Sequence, residues 1–269
     1  MTKVLTLNTH SWMEENGQQK FQDLLDAILA ENYDLICLQE VNQEITSDLA
    51  NYMIHYAGLE DAPAIHQDHF ALKLVEALDE AGQVYYWSWA YNHIGYDRYN
   101  EGVAILSKNP IEASSVLVSD VDNEYDYHTR RALVVRTLLG DQEVLAVSTH
   151  LSWWDKGFKR EWSKLEKALL AEDLPVLIMG DFNNPQGNEG YQLVLASPLK
   201  LRDSHVNASQ VIGDHTIKAD IDGWEGNEHN FKVDYAFTNL PVAIQRSRVV
   251  FDGQHYPVVS DHFGLDVTW

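Results

Sequence analysis

The sequence predicts an α/β layered protein built on a mixed sheet, or on two sheets face to face, flanked by helices. Three observations lead there. Apolar, β-branched and aromatic runs recur along the 269 residues and stop at polar side chains. Stretches with an apolar stripe at helical spacing lie between some of them. From residue 84 to residue 150 the spacing is wrong for regular strand–helix–strand units, so antiparallel pairs are expected there.

The elements follow in order. "KVLTLNTH" (3–10) alternates and stops at Asn8. "QQKFQDLLDAILAEN" places Phe21, Leu24, Leu25, Ile28 and Leu29 on one stripe, a first helix. "YDLICLQEV" (33–41) stops at Gln39 and Glu40. "HFALKLVEALDEAG" is a second helix that ends at Gly82. "EGVAILSK" (101–108) and "RALVVRTLL" (131–139) are strands, and "EVLAVSTHL" (143–151) reaches His150. A third helix, "FKREWSKLEKALLAEDLP", precedes "PVLIMGDFN" (175–183), which stops at Asp181. "KVDYAFTN" (232–239) holds Asp234, and "SDHFGLDVTW" (260–269) begins with Asp261 and His262.

No linker, repeat or low-complexity tract divides the chain, so a single domain over 1–269 is expected. The N-terminus lacks an apolar signal core and no apolar run approaches bilayer length. The lone Cys37 lies in an apolar run, which fits core packing and a reducing compartment. A cytoplasmic protein is therefore expected. The formal charge is −22, from 41 acidic against 19 basic residues. Such a surface repels polyanions, so neither nucleic acid nor an anionic membrane is expected as a partner.

The polar residues at strand ends carry the functional reading. One Asp after a strand is an ordinary turn former or helix cap. Asn8, Glu40, His150, Asp181, Asn183, Asp234, Asp261 and His262 form a pattern, since all lie where apolar runs begin or end. Strand ends in layered α/β folds converge on one rim, where sites form. Carboxylates gathered there need a cation, and oxygen donors suit Mg²⁺, Mn²⁺ or Ca²⁺. Glu40 is the first choice of metal ligand, with Asn8 and Asp261 behind it. His262 has Asp261 beside it and Asp234 elsewhere to fix its tautomer. His10, His55, His66, His69, His93 and His229 lack such context and receive no role.

Seven blocks in order, "LTLNTH", "LICLQEVN", "EGVAILS", "STHLSWW", "MGDFNNP", "VDYAFTN" and "VSDHFGL", resemble the endonuclease/exonuclease/phosphatase superfamily over residues 3 to 269. The resemblance implies a four-layer α/β/β/α sandwich of the DNase I-like kind and Mg²⁺-dependent hydrolysis of a phosphate ester, with Mn²⁺ as a substitute. It implies that Glu40 is the direct metal ligand, with Asn8 and Asp261 on the metal side. It implies that His150 hydrogen-bonds the scissile phosphate and that Asp181 aligns or deprotonates the attacking water. Asn183 then donates to the phosphate, and Asp234 orients His262.

The shared blocks do not choose the ester. Acidic charge disfavours a nuclease, and no exposed apolar hairpin of a secreted sphingomyelinase is visible, which leaves a small soluble phosphate. Aromatic and polar residues in loops beside the motifs are how proteins grip sugars, with Trp153, Trp154 and Trp224 as candidates. Each Trp can equally pack under its loop. Arg98, Arg130 and Arg131 are candidates for a phosphate fork, and Arg131 can equally be a strand-edge ion pair. "YDRYNEGVAILS", "SWWD", "GDFNNPQGNEGYQL" and "DGWEGN" resemble the maltose 6′-phosphate phosphatase subfamily. That resemblance implies a sugar phosphate as substrate, released as maltose and phosphate. The alternative is a phosphodiesterase of the same fold, exonuclease III-like or sphingomyelinase-like. A non-catalytic binding module is the third reading, opposed by the intact polar set.

Overall fold

The apolar runs form strands and the striped stretches form helices. In the computed structural model, residues 1–269 are described apart from Asp222 and Glu225, which belong to the "DGWEGN" segment. The first half of the chain contains β1 (Lys3–Asn8), α1 (Gly17–Glu31), β2 (Leu35–Glu44), α2 (Phe70–Glu80), β3 (Tyr86–Gly95), β4 (Tyr99–Ser107) and β5 (Glu112–Leu117). There follow β6 (Arg131–Leu139), β7 (Gln142–His150), α3 (Phe158–Leu170), β8 (Val176–Asp181) and α4 (Glu189–Leu195). The remainder holds β9 (Arg202–Asp203), β10 (Gln210–Ile212), β11 (Asp234–Thr238), β12 (Arg246–Val250) and β13 (Gly264–Thr268). The strand expected over 101–108 is β4, and it pairs with β3 in a hairpin that turns at residues 96–98.

Among the described residues the strands form two sheets, ordered β10-β12-β13-β1-β2-β4-β3 and β5-β6-β7-β8-β11-β9. β1–β2 and β7–β8 are parallel, whereas β1–β13, β2–β4, β6–β7 and β8–β11 are antiparallel, so both sheets are mixed. Alternation along each strand decides what it packs against. Leu5, Leu7, Ile36 and Leu38 face outward and pack with Leu24, Leu25 and Ile28 of α1 and Leu74 and Leu78 of α2. Val4, Cys37, Ala90 and Ile105 face inward and meet Leu133, Val135, Ala146 and Met179 of the second sheet. Val147, Ile178 and Phe237 point out of that sheet onto Phe158, Trp162 and Leu165 of α3 and Val194 of α4. The result is a four-layer α/β/β/α sandwich. Cys37 is core, and its buried thiol is pushed well above the ordinary range.

Near the rim the seam between sheets turns polar. Gln39 Nε2 donates to Ser148 Oγ at 3.0 Å, and Ser148 Oγ donates to the Leu38 carbonyl at 3.2 Å. These bonds satisfy groups that would otherwise be buried without partners.

At the end of α1, Glu31 accepts from Lys3 Nζ at 2.8 Å, Arg248 Nη2 at 2.7 Å and the Tyr256 hydroxyl at 2.9 Å. Burial alone would raise this carboxyl, but the hydrogen bonds from Lys3, Arg248 and Tyr256 outweigh it and hold it at about 2, against an ordinary 4.5. A depressed folded-state value stabilises above the unfolded value, and the contribution disappears as pH falls through the folded one. Glu31→Gln is therefore expected to be less stable than the wild type by about 1–2 kcal/mol at pH 7. The gap should close between pH 4.5 and about 2. Urea unfolding of both proteins across that window checks it; a gap that stays constant with pH would show that the charge contributes nothing.

Candidate active site

Strand register assembles the site. His150 lies beside Asp181 in the parallel β7–β8 pair, and Asp234 lies opposite Asp181 in the antiparallel β8–β11 pair. Three neighbouring strands thus set His150, Asp181 and Asp234 in one row. Gly180 makes this possible. A Cβ there would stand 1.9 Å from the Thr149 carbonyl oxygen, and its φ of 148° disfavours other residues. In the first sheet Asn8 pairs with Gln39, and β2 has a bulge between Leu38 and Val41. Glu40 sits in that bulge with φ 53°, a strained conformation that departs from strand alternation and lets its carboxylate line the cavity. Asn183 is also left-handed, at φ 49°, and its N–H donates to Asp181 Oδ1 at 2.8 Å.

The groups form one network. Asn8 Nδ2 donates to Glu40 Oε1 at 2.8 Å and to Asp181 Oδ2 at 3.2 Å, while Asn8 Oδ1 accepts from the His10 N–H at 3.3 Å. Asn8 therefore bridges two carboxylates. His262 Nδ1 is 2.9 Å from Asp234 Oδ2, and its Nε2 is 3.8 Å from Asp181 Oδ2. The Asn183 amide is oriented by Trp224 Nε1, which donates to Oδ1 at 3.3 Å, and by the Leu151 carbonyl, which accepts from Nδ2 at 3.0 Å. Nδ2 also lies 3.2 Å from His150 Nε2. That nitrogen is thereby an acceptor, and the His150 proton belongs on Nδ1, the side of Glu40.

Burial and charge separate the two imidazoles. Burial pushes His150 well below its ordinary value, and the positive charges of Arg130 and His262 push the same way, so it is neutral. Burial opposes charge on His262 as well, but Asp234, then Asp181 and Asp261, outweigh it and raise that imidazole well above its ordinary value. Burial first, then Asp261, raises the Glu40 carboxyl. Asp181 is likewise raised, by burial and then by Asp234 and Glu40 against His262.

A divalent cation fits this donor set. Glu40 and Asp261 present like charges to one cavity, Asp261 raising the Glu40 carboxyl, and oxygen donors favour a hard ion. Asp181, Asp234 and His262 form one group of nearby ligand atoms, and His10, Glu14 and Asp261 form another.

The cavity at the rim has a volume of about 580 Å³. Of the residues expected at the site, Glu40, His150, Trp153, Asp181, Asn183, Asp261 and His262 line it, with Asn8, Asp234 and Trp224 joined through hydrogen bonds. Three residues expected to bind substrate are elsewhere. Arg98 lies in the exposed β3–β4 turn and pairs with Glu44 at 3.2 Å, beside a different groove. Arg131 is held by Asp122 at 2.5 Å and Asp61 at 3.2 Å, and donates to the Tyr91 carbonyl. Its reading as an edge ion pair is the correct one. Trp154 is 40% exposed and rests near Phe158, outside the cavity lining.

The wall also holds His10, His93, Tyr96, Glu101, Tyr127 and Arg130. His10 Nδ1 is 2.9 Å from Glu14 Oε1, and His93 Nε2 is 3.5 Å from Glu101 Oε1. Glu101 had a signal in the sequence, since it opens an apolar run just as Asp234 does.

Carboxylates on both sheets, a neutral imidazole, a charged imidazole and a fixed amide around one cavity define a hydrolytic site of the kind that handles phosphoric esters. The family follows from comparison. The model of the endonuclease/exonuclease/phosphatase family matches residues 12–262, and the chain belongs to that family, whose members are hydrolases that typically use divalent metals. A family protein from Leptotrichia buccalis is 28% identical with a TM-score of 0.85, covering 100% of this chain and 99% of that one. A mannosyl-6-phosphatase from Bacteroides thetaiotaomicron shares the fold at 15% identity and a TM-score of 0.67, with 100% and 99% covered. The human Nocturnin catalytic domain does so at 15% identity and a TM-score of 0.64, with 99% and 92% covered. No curated protein matches the chain. No helix among the described residues is long and apolar enough to cross a membrane.

Proposed function

We propose that this protein is a Mg²⁺-dependent phosphomonoesterase acting on a sugar phosphate, with maltose 6′-phosphate the foremost candidate and Mn²⁺ able to replace Mg²⁺. The observation that carries the reading is the cavity. About 580 Å³ suits a small phosphorylated sugar, with acidic, imidazole and amide groups beside aromatic Tyr96, Tyr127 and Trp153. The charge of −22 supports a small soluble substrate over a polyanion. The neighbour named a mannosyl-6-phosphatase supports the substrate class.

Each residue then has a task. Glu40 and Asp261 hold the divalent ion, which supplies positive charge to the phosphoryl group and the leaving oxygen. Asp181 aligns water for attack on phosphorus and takes its proton. The Nδ1–H of His150 donates to a phosphoryl oxygen, and Asn183 joins it by turning one Nδ2 hydrogen from His150 Nε2 to the phosphoryl group while the other stays on the Leu151 carbonyl. Asp234 holds His262 as an imidazolium whose positive charge meets the charge that develops on the phosphoryl group. Water adds to phosphorus, the ester P–O bond breaks with its electron pair on the sugar oxygen, and that oxygen takes a proton from solvent to leave as an alcohol while Asp181 returns its proton to solvent.

The test is phosphate release from a panel of sugar monophosphates and phosphodisaccharides with Mg²⁺, beside nicked and abasic DNA duplexes and sphingomyelin vesicles. Release from a disaccharide phosphate is expected, with the polymer and lipid inert. Cleavage of DNA or of sphingomyelin in preference to every monoester would overturn the reading.

A further inference from the structure

The cavity contains a charge that the chemistry above does not use. Arg130 is 4% exposed and lines the cavity. Its Nε and Nη1 are sealed from solvent without any hydrogen-bond partner. No carboxylate pairs with it among the described residues, although its neighbour Arg131 has two. Acidic groups are not scarce, with 41 in the chain, so the lack of a partner among the described residues is a property of the position. A buried guanidinium without an anion is unfavourable. The backbone delivers it firmly: the Arg130 N–H donates to Ser119 Oγ at 2.9 Å, and its carbonyl accepts from Val118 at 2.9 Å. Its charge reaches both nearby imidazoles. After burial, it is the largest influence lowering His93, to about 4, and the largest lowering His150. Arg130 thus stands beside two neutral imidazoles, His93 and His150, in a cavity that also holds the charged His262.

We propose that Arg130 binds a peripheral phosphoryl oxygen of the substrate and makes the site select phosphomonoesters over phosphodiesters. The proposal rests on the phosphatase reading and deepens it. A monoester phosphoryl group has three peripheral oxygens and close to two negative charges at neutral pH; a diester has two such oxygens and one charge. His150 and Asn183 serve oxygens on their wall. Arg130 serves the oxygen that a diester would have alkylated, and an alkylated oxygen leaves the guanidinium unpaired. Discrimination comes from a buried group that only the correct substrate satisfies.

The first experiment compares kcat/KM for p-nitrophenyl phosphate and bis(p-nitrophenyl) phosphate in the wild type, Arg130→Met and Arg130→Lys. The Met variant is expected to lose ~10²-fold or more on the monoester and ~3-fold or less on the diester, with Lys restoring part of the preference. Equal losses on both esters, or none, would overturn the proposal. A second experiment does not need turnover. Inorganic phosphate should raise the melting temperature of the wild type and bind it measurably by calorimetry. Arg130→Met should melt at or above the wild-type temperature without phosphate, because an unpaired buried charge is gone, and should not respond to phosphate. A Met variant that responds like the wild type, or a wild type that does not respond, refutes the role. Should the Met variant not fold, Arg130→Gln takes its place under the same criteria. A wild type inactive on every sugar phosphate would end the phosphatase reading, while the phosphate-binding comparison would still judge Arg130.

Discussion

Glu40→Gln is expected to reduce turnover by ~10³-fold or more at ordinary Mg²⁺ concentrations while the fold persists. The carboxylate is mostly sheltered in the cavity wall, and Asp261 adds like charge to a site that already disfavours ionisation. Glutamine has nearly the same shape and keeps an oxygen for the Asn8 amide that now donates to Oε1. What it removes is charge. The metal-free variant should therefore unfold at or above the wild-type temperature, because a buried repulsion is relieved. Mg²⁺ should raise the melting temperature of the wild type and raise that of the variant much less. Kinetics across a Mg²⁺ titration, with melting curves at each point, check both statements. Normal turnover at ordinary Mg²⁺ would remove Glu40 as a ligand.

The second large effect concerns the Asp234–His262 pair. Asp234→Asn and His262→Ala should each lower kcat by ~10²–10⁴-fold with a smaller change in KM. The pair is buried at 2.9 Å, and His262 stays charged only because Asp234 and Asp181 outweigh burial. Replacing Asp234 by Asn leaves the ring in place but removes the carboxylate that holds its proton. If the two act as a unit, the double variant should be no slower than the worse single variant. Circular dichroism and melting curves establish that the variants fold. A loss confined to KM, or losses that multiply in the double variant, would separate the two residues.

The layered fold and most of the site were legible because both follow from where apolar runs stop. His150 and Asp181 end strands, Asp234 opens one, His262 lies just before β13 and Glu40 interrupts β2 at its bulge, and these positions meet at one rim. What was not legible depends on register and local backbone. Arg130 and Arg131 are adjacent, and on a strand adjacent side chains face opposite ways. Composition alone does not say which one faces the cavity; pairing of Arg131 with Leu117 in the β5–β6 ladder accompanies the answer. Trp153 and Trp154 differ at the start of a short 3-10 turn, which Trp153 precedes and Trp154 opens. His10 follows β1 in a left-handed conformation, φ 46°, that no periodicity announces. Arg98 was misplaced because the segment around it is a hairpin whose tip faces solvent.

The two halves of the site belong to different sheets: Asn8 and Glu40 stand on one, and His150, Asp181 and Asp234 stand on the other. The distance between Glu40 and Asp181 is therefore set by how one slab sits on its counterpart. A slip of an ångström along that plane would detune the chemistry without altering a single contacting side chain. Alignment of the slabs near the rim is in the keeping of Gln39 and Ser148, so changes at this buried latch should be felt as loss of rate long before they are felt as loss of structure.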